Sequence, residues 1–171
     1  MEYLIWAGLL AVATTDAREN RIPNMALLYL LFVTLIHHSF SADPLMLVGT
    51  SLLAGLIMFV ISLIMHVAGA MAPGDVKLLG VVGFIVGWGQ LLSTTFWIAI
   101  STVLVGGLYG AIRFAEEPET LQLMVKKYTM IFAYGKGAKP AVSALSKERS
   151  DMLRMPFAPV VVIGLAMQNY F

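Results

Sequence analysis

Cysteine is absent from the 171-residue chain, which excludes a disulfide framework, a thiolate zinc site and a cysteine nucleophile. Charge is scarce as well. Asp, Glu, Lys and Arg make up 12% of the residues against 59% hydrophobic, where a soluble domain carries about a quarter charged and about half apolar. That balance excludes a soluble globular fold of this size, and a disordered chain, which needs the reverse proportions. The sequence also has no glycine-rich nucleotide loop, no metal-ligand cluster and no Ser/His/Asp grouping. What it has is long apolar runs and a mean hydropathy of +0.84. The chain reads as an all-α, polytopic membrane protein.

A membrane helix needs about 20 mostly apolar residues to cross roughly 30 Å of hydrocarbon. Apolar stretches at 1–15, 24–40, 45–68, 76–89, 91–113 and 156–171 predict a single bundle of six spans. The first stretch is short and carries Glu2 in place of a basic start, so it does not read as a cleaved signal peptide. At 1.5 Å per residue it covers only about 22 Å. Asp16, which ends it, is therefore expected at the lipid–water boundary. The apolar run from Val76 to Arg113 is nearly twice the length of one crossing, and Trp88-Gly89-Gln90 supplies the expected break.

Charge placement agrees with that parse. All 11 Lys and Arg fall in the first, third and fifth loops or at their edges. Cytoplasmic loops carry the Lys/Arg excess, so both termini are expected outside a cell membrane. The fifth loop, 114–155, is the one sizeable extramembrane piece. Within it Leu121, Met124, Val125, Tyr128 and Phe132 recur at helical spacing. They suit an amphipathic helix on the inner leaflet, or equally a solvated connector with a local helix. Gly83-x-x-x-Gly87 and Gly106-x-x-x-Gly110 are expected to be close helix-packing faces. His37 and His38 read as interfacial residues on the outer side, and His66 as a packing residue first and a site neighbour second.

Carboxylates pressed against membrane spans are costly and mark functional sites by default. On the inner side only Asp16 and Asp75 fit, one ending the first span and the other opening the fourth. Parity of the spans puts both at the same face. Two adjacent carboxylates cannot both ionise easily, so one can take a proton from water while the other donates a hydrogen bond to a carbonyl. That is aspartic-protease chemistry, which needs neither metal nor cofactor. A lone Asp at a helix end is usually a solvated cap; the residues around these two point further.

Asp16-Ala17-Arg18-Glu19-Asn20-Arg21-Ile22-Pro23-Asn24 resembles the first aspartate motif of the type IV prepilin peptidases. Pro73-Gly74-Asp75-Val76-Lys77-Leu78-Leu79 resembles their second, from which the GxGD-type membrane aspartic proteases take their name. Met155-Pro156-Phe157-Ala158-Pro159 is similar to the Pro-Phe-x-Pro start of that family's last helix. Ala72 stands where the family usually has the first glycine, and is small enough to preserve a tight turn.

The resemblance implies an aspartic endopeptidase with Asp16 and Asp75 as the catalytic pair. Such enzymes remove the short basic leader from prepilins or archaeal preflagellins at the cytoplasmic face of the membrane, in type IV pilus assembly and secretion. It implies no cofactor, no metal and no nucleic acid, with prepilin-like proteins and the lipid bilayer as partners. Larger bacterial members carry a cytoplasmic cysteine metal site, and many methylate the new N-terminus. Without cysteine or a long insertion after the first span, this chain looks like the compact, peptidase-only form associated with Tad/Flp pili or archaeal filaments. No methyltransferase activity is expected. Gly74 could let the backbone approach an extended substrate or relieve strain in a turn. Lys77 and Arg18 are candidate substrate contacts, although the charge rule reads them first as topology determinants.

Two other readings compete: a small transporter or channel using the two Asp as a relay, and a non-catalytic pilus-assembly subunit. Relays usually sit near the bilayer midplane, where no predicted span carries an Asp, Glu, Lys or Arg. An assembly subunit has no need of two matched acidic motifs.

Overall fold

The computed structural model describes residues 2–41, 43–69, 71–116 and 156–170. Among these the chain is all-helical. Six α-helices run in the order α1 (Glu2–Glu19), α2 (Asn24–Ser39), α3 (Pro44–Val67), α4 (Pro73–Val86), α5 (Leu91–Glu116) and α6 (Phe157–Tyr170), with a short 3₁₀ turn at Trp88–Gln90 before α5. Two compact units are distinguished: Met1–Thr102 with Pro156–Phe171, and Val103–Met155. The proposed amphipathic segment from Leu121 to Phe132 lies outside the described residues.

Helix boundaries follow local chemistry. Pro44 and Pro73 open α3 and α4, positions where the missing N–H costs nothing and the fixed φ is already helical. α4 stops at Gly87, whose φ of 74° is open to glycine without steric cost. The break between α4 and α5 thus begins one residue before the predicted Trp88. α1 differs more from expectation. It does not end at Asp16 but continues through Ala17, Arg18 and Glu19, all strong helix formers. Asn20, at φ 50°, ends the helix by donating its N–H to the Asp16 carbonyl at 2.8 Å, the left-handed cap that asparagine tolerates.

One apolar core joins the first unit. It draws Ile5, Leu9 and Val12 from α1, Leu27 and Leu30 from α2, Met58 from α3, Leu78 and Val82 from α4, Ile98 from α5, and Val161 and Leu165 from α6. Small residues set the α3–α4 spacing. A Cβ added at Gly83 would lie 2.9 Å from the Ala54 carbonyl oxygen, so the backbones touch as expected for this glycine. At Gly110 an added Cβ would meet nothing within 4 Å among the described residues.

Outward, the helices are apolar. Leu52 and Ile64 of α3 are 64% and 65% exposed, a surface suited to hydrocarbon and not to water. By length and composition two helices among the described residues can cross a membrane, Pro44–Val67 and Trp88–Ile112. α2 and α6 are apolar but shorter, and the 14 residues of α4 or α6 reach only about 21 Å at 1.5 Å each. Six complete crossings are therefore not established by the helices themselves.

Candidate active site

Asp16 continues a stripe on α1. Ile5, Leu9, Val12 and Asp16 are all buried, and their spacing of four, three and four residues keeps them on one helix face. The carboxylate thus points inward, 5% exposed. Its Oδ2 accepts a hydrogen bond of 2.8 Å from the backbone N–H of Ala158 in the first turn of α6.

Asp75 lies in the first turn of α4, with its N–H donated to the Ala72 carbonyl at 3.1 Å. Leu78, Leu79 and Val82, three, four and seven residues on, are buried, so Asp75 begins the inward stripe of α4 and is itself half-buried. Both stripes end in the same core cluster, which also contains Ala158.

The polar ends of these elements converge. Lys77 donates from Nζ to Asn24 Oδ1 at 3.1 Å, tying α4 to the start of α2. A Cβ on Gly74 would sit 3.7 Å from Ile22, so the first turn of α4 lies beside the connection that follows α1. That distance is ordinary van der Waals contact, and Gly74 is not among the glycines with positive φ. Strain relief is therefore not its role. Ala72 is the residue before the helix, at φ −78° and ψ 152°, a conformation open to any L-residue. Alanine in place of the family's glycine is accordingly free of backbone strain.

Arg18 is exposed in the last turn of α1, and Lys77 is exposed on α4. The half-buried His66 donates from Nδ1 to the Met71 carbonyl at 2.7 Å, closing the turn between α3 and α4, a packing role as expected. An apolar groove of about 960 Å³ runs from Asn24 and Lys77 along α2, α3 and α4 to Leu35, Val48 and Phe84. Its walls suit an apolar segment and not a charged one.

Sequence reasoning missed two features. The Ala158 N–H is a backbone donor and has no side-chain signature; only the Pro-Phe-x-Pro pattern marked its neighbourhood. His38 was expected at an interface, yet it is buried at 6% exposure. Its Nδ1 donates to the Thr34 carbonyl at 2.8 Å and its Nε2 lies 3.2 Å from Ser51 Oγ. The histidine is drawn inside because both ring nitrogens find partners there.

Comparison with known proteins decides the family. The model of the type IV leader peptidase family matches residues 3–111, a stretch that contains Asp16 and Asp75. The chain belongs to the type IV leader peptidase family. A prepilin leader peptidase/N-methyltransferase from Bacillus subtilis (strain 168) is 35% identical over 107 residues, 60% of this chain and 40% of that relative. The chain thus aligns with well under half of that relative's length. No solved structure matches. Membership of the leader peptidase family, together with two long apolar helices, makes this a membrane protein. The Pro-Phe-x-Pro stretch lies beyond the matched residues.

Proposed function

We propose that this leader peptidase family member is an aspartic endopeptidase that removes the short basic leader of prepilin-like precursors, of the Flp-pilin or archaellin-like class. The observation that carries the reading is that Asp16 and Asp75 each begin or end a buried apolar stripe leading into one core cluster. The two carboxylates act as a pair. One takes a proton from water as the water oxygen attacks the scissile carbonyl carbon, while the other donates a hydrogen bond to the carbonyl oxygen. Collapse of the tetrahedral species then breaks the C–N bond, with a proton delivered to the leaving amine.

In this reading the helices form six crossings of the cytoplasmic membrane, with both termini outside and the two aspartates at the cytoplasmic face. Support comes from the distribution of Lys and Arg and from the apolar surfaces of α2 and α3. Gly74, Lys77 and Arg18 are assigned to contact with the extended leader. The half-exposed or exposed setting of all three supports that assignment.

The test uses membranes containing the wild-type, Asp16→Asn or Asp75→Asn protein, incubated with a prepilin and followed for leader loss. Both variants are expected to be inactive at normal expression. Normal processing by either would overturn the proposal.

A further inference from the structure

We propose that the first turn of α6 is a positioning element of the reaction, with the backbone N–H of Ala158 holding the Asp16 carboxylate in its working orientation. The proposal rests on the aspartic reading above and adds a third chain segment to it.

Three observations carry it. The hydrogen bond from Ala158 N–H to Asp16 Oδ2 is 2.8 Å long and joins residues that are 0% and 5% exposed, so water does not compete for it. Second, α6 begins at Phe157, and the first four N–H groups of a helix have no acceptor within the helix. Pro156 and Pro159 carry no N–H at all. Of the four residues 156–159 only Phe157 and Ala158 can donate, and the Ala158 amide is the one that reaches the carboxylate. Third, α6 is held too firmly to follow a displaced side chain. Ser101 Oγ donates to the Val160 carbonyl at 2.7 Å, and a Cβ on Gly164 would meet Ile98 Cα at 2.8 Å.

The physical consequence is restriction of a freely rotating group. A carboxylate held by one oxygen loses rotation about Cβ–Cγ, which fixes the orientation of its other oxygen. A backbone donor needs no rotamer to be ordered, and the positive end of the helix dipole favours an anion at that place. Misplacing a reacting group by about 1 Å can cost about 100-fold in rate, which is the size of effect a lost anchor should produce.

The experiment measures kcat and KM for leader release from a prepilin by the purified full-length protein, with the melting temperature of each variant recorded alongside. Ala158→Pro deletes the N–H in the first turn, where no intrahelical bond depends on it, and Ala158→Gly keeps it. Ala158→Pro is expected to lower kcat about 100-fold with KM unchanged, since residue 158 is fully buried. Ala158→Gly is expected to retain wild-type kcat. Should Ala158→Pro fail to fold, lactic acid incorporated at position 158 replaces the amide by an ester, keeps the methyl group, and carries the same expectation.

Wild-type kcat in the proline or ester variant, with Asp16→Asn inactive, would overturn the positioning role and leave the aspartic reading intact. A lower melting temperature with unchanged kcat would mark a merely structural bond and overturn it equally. Full turnover by Asp16→Asn would remove both.

Discussion

Asp16 and His38 are almost equally buried, at 5% and 6% exposure, yet they sit at opposite ends of the helices and their surroundings differ in kind. At the His38 end, polar groups satisfy one another. His38 donates to the Thr34 backbone carbonyl and lies against the Ser51 hydroxyl, Thr94 donates to Gln168 Oε1 at 2.6 Å, and Gln168 donates in turn to Gln90 Oε1 at 2.9 Å. These are closed side-chain links between α2 and α3 and between α5, α6 and the 3₁₀ turn. At the Asp16 end the carboxylate is held by a backbone amide, and the flanking Arg18, Glu19 and Arg21 are exposed. Burial by itself therefore does not identify a site. A polar group whose partners all lie inside the bundle holds helices together, whereas on the proposed reading the Asp16 carboxylate, anchored by the Ala158 amide beside exposed residues, serves the reaction.

The largest effects should fall at the aspartates. Asp16→Asn or Asp75→Asn is expected to reduce prepilin cleavage by about 10²–10⁴-fold, the usual worth of a general acid or base, while the melting temperature stays near that of the wild type. His38→Ala should do the opposite. It leaves the fully buried Ser51 hydroxyl without its partner and should cost about 1–3 kcal/mol of stability, seen as a lower melting temperature with unchanged kcat. A loss of kcat in that variant would erase the distinction between the two ends.

Ser101→Ala removes a buried hydroxyl that bonds the Val160 carbonyl. It should cost about 1 kcal/mol in the same thermal assay. The smallest change in stability is expected at Lys77→Met, because the bond to Asn24 is exposed and surface substitutions usually stay within about 0.5 kcal/mol. Its effect should appear instead as a raised KM for prepilin, with kcat retained. Unchanged KM would return Lys77 to the role of a topology determinant.

Much of the fold was legible in the sequence because hydrophobic runs and helix punctuation are local signals. Pro44 marked the start of α3, and the break read at Trp88-Gly89-Gln90 fell within a few residues of the end of α4 at Val86. The end of α1 was missed because the apolar run stops at Thr15 while helix propensity does not. Ala17, Arg18 and Glu19 carry the helix one more turn and place Asp16 inside it. The membrane criterion and the helix criterion are different physical quantities, and here they part. For the same reason six apolar stretches do not by themselves establish six crossings: among the described residues two helices meet the length and composition of a span.

What the amino-acid order determined by itself was composition, helical periodicity and the two aspartate motifs, since each depends only on residues near in the chain. The placement of Asp16 was half-readable: Ile5, Leu9 and Val12 define a face that the carboxylate continues. Only the tertiary structure decided that Ala158, 142 positions away, donates to that carboxylate, that Ser51 takes in His38, and that Ile22 covers Gly74. Of those contacts, the first and the last join segments distant in sequence through a backbone amide and through shape. Neither leaves a residue-type signature, because a backbone N–H is common to every residue but proline.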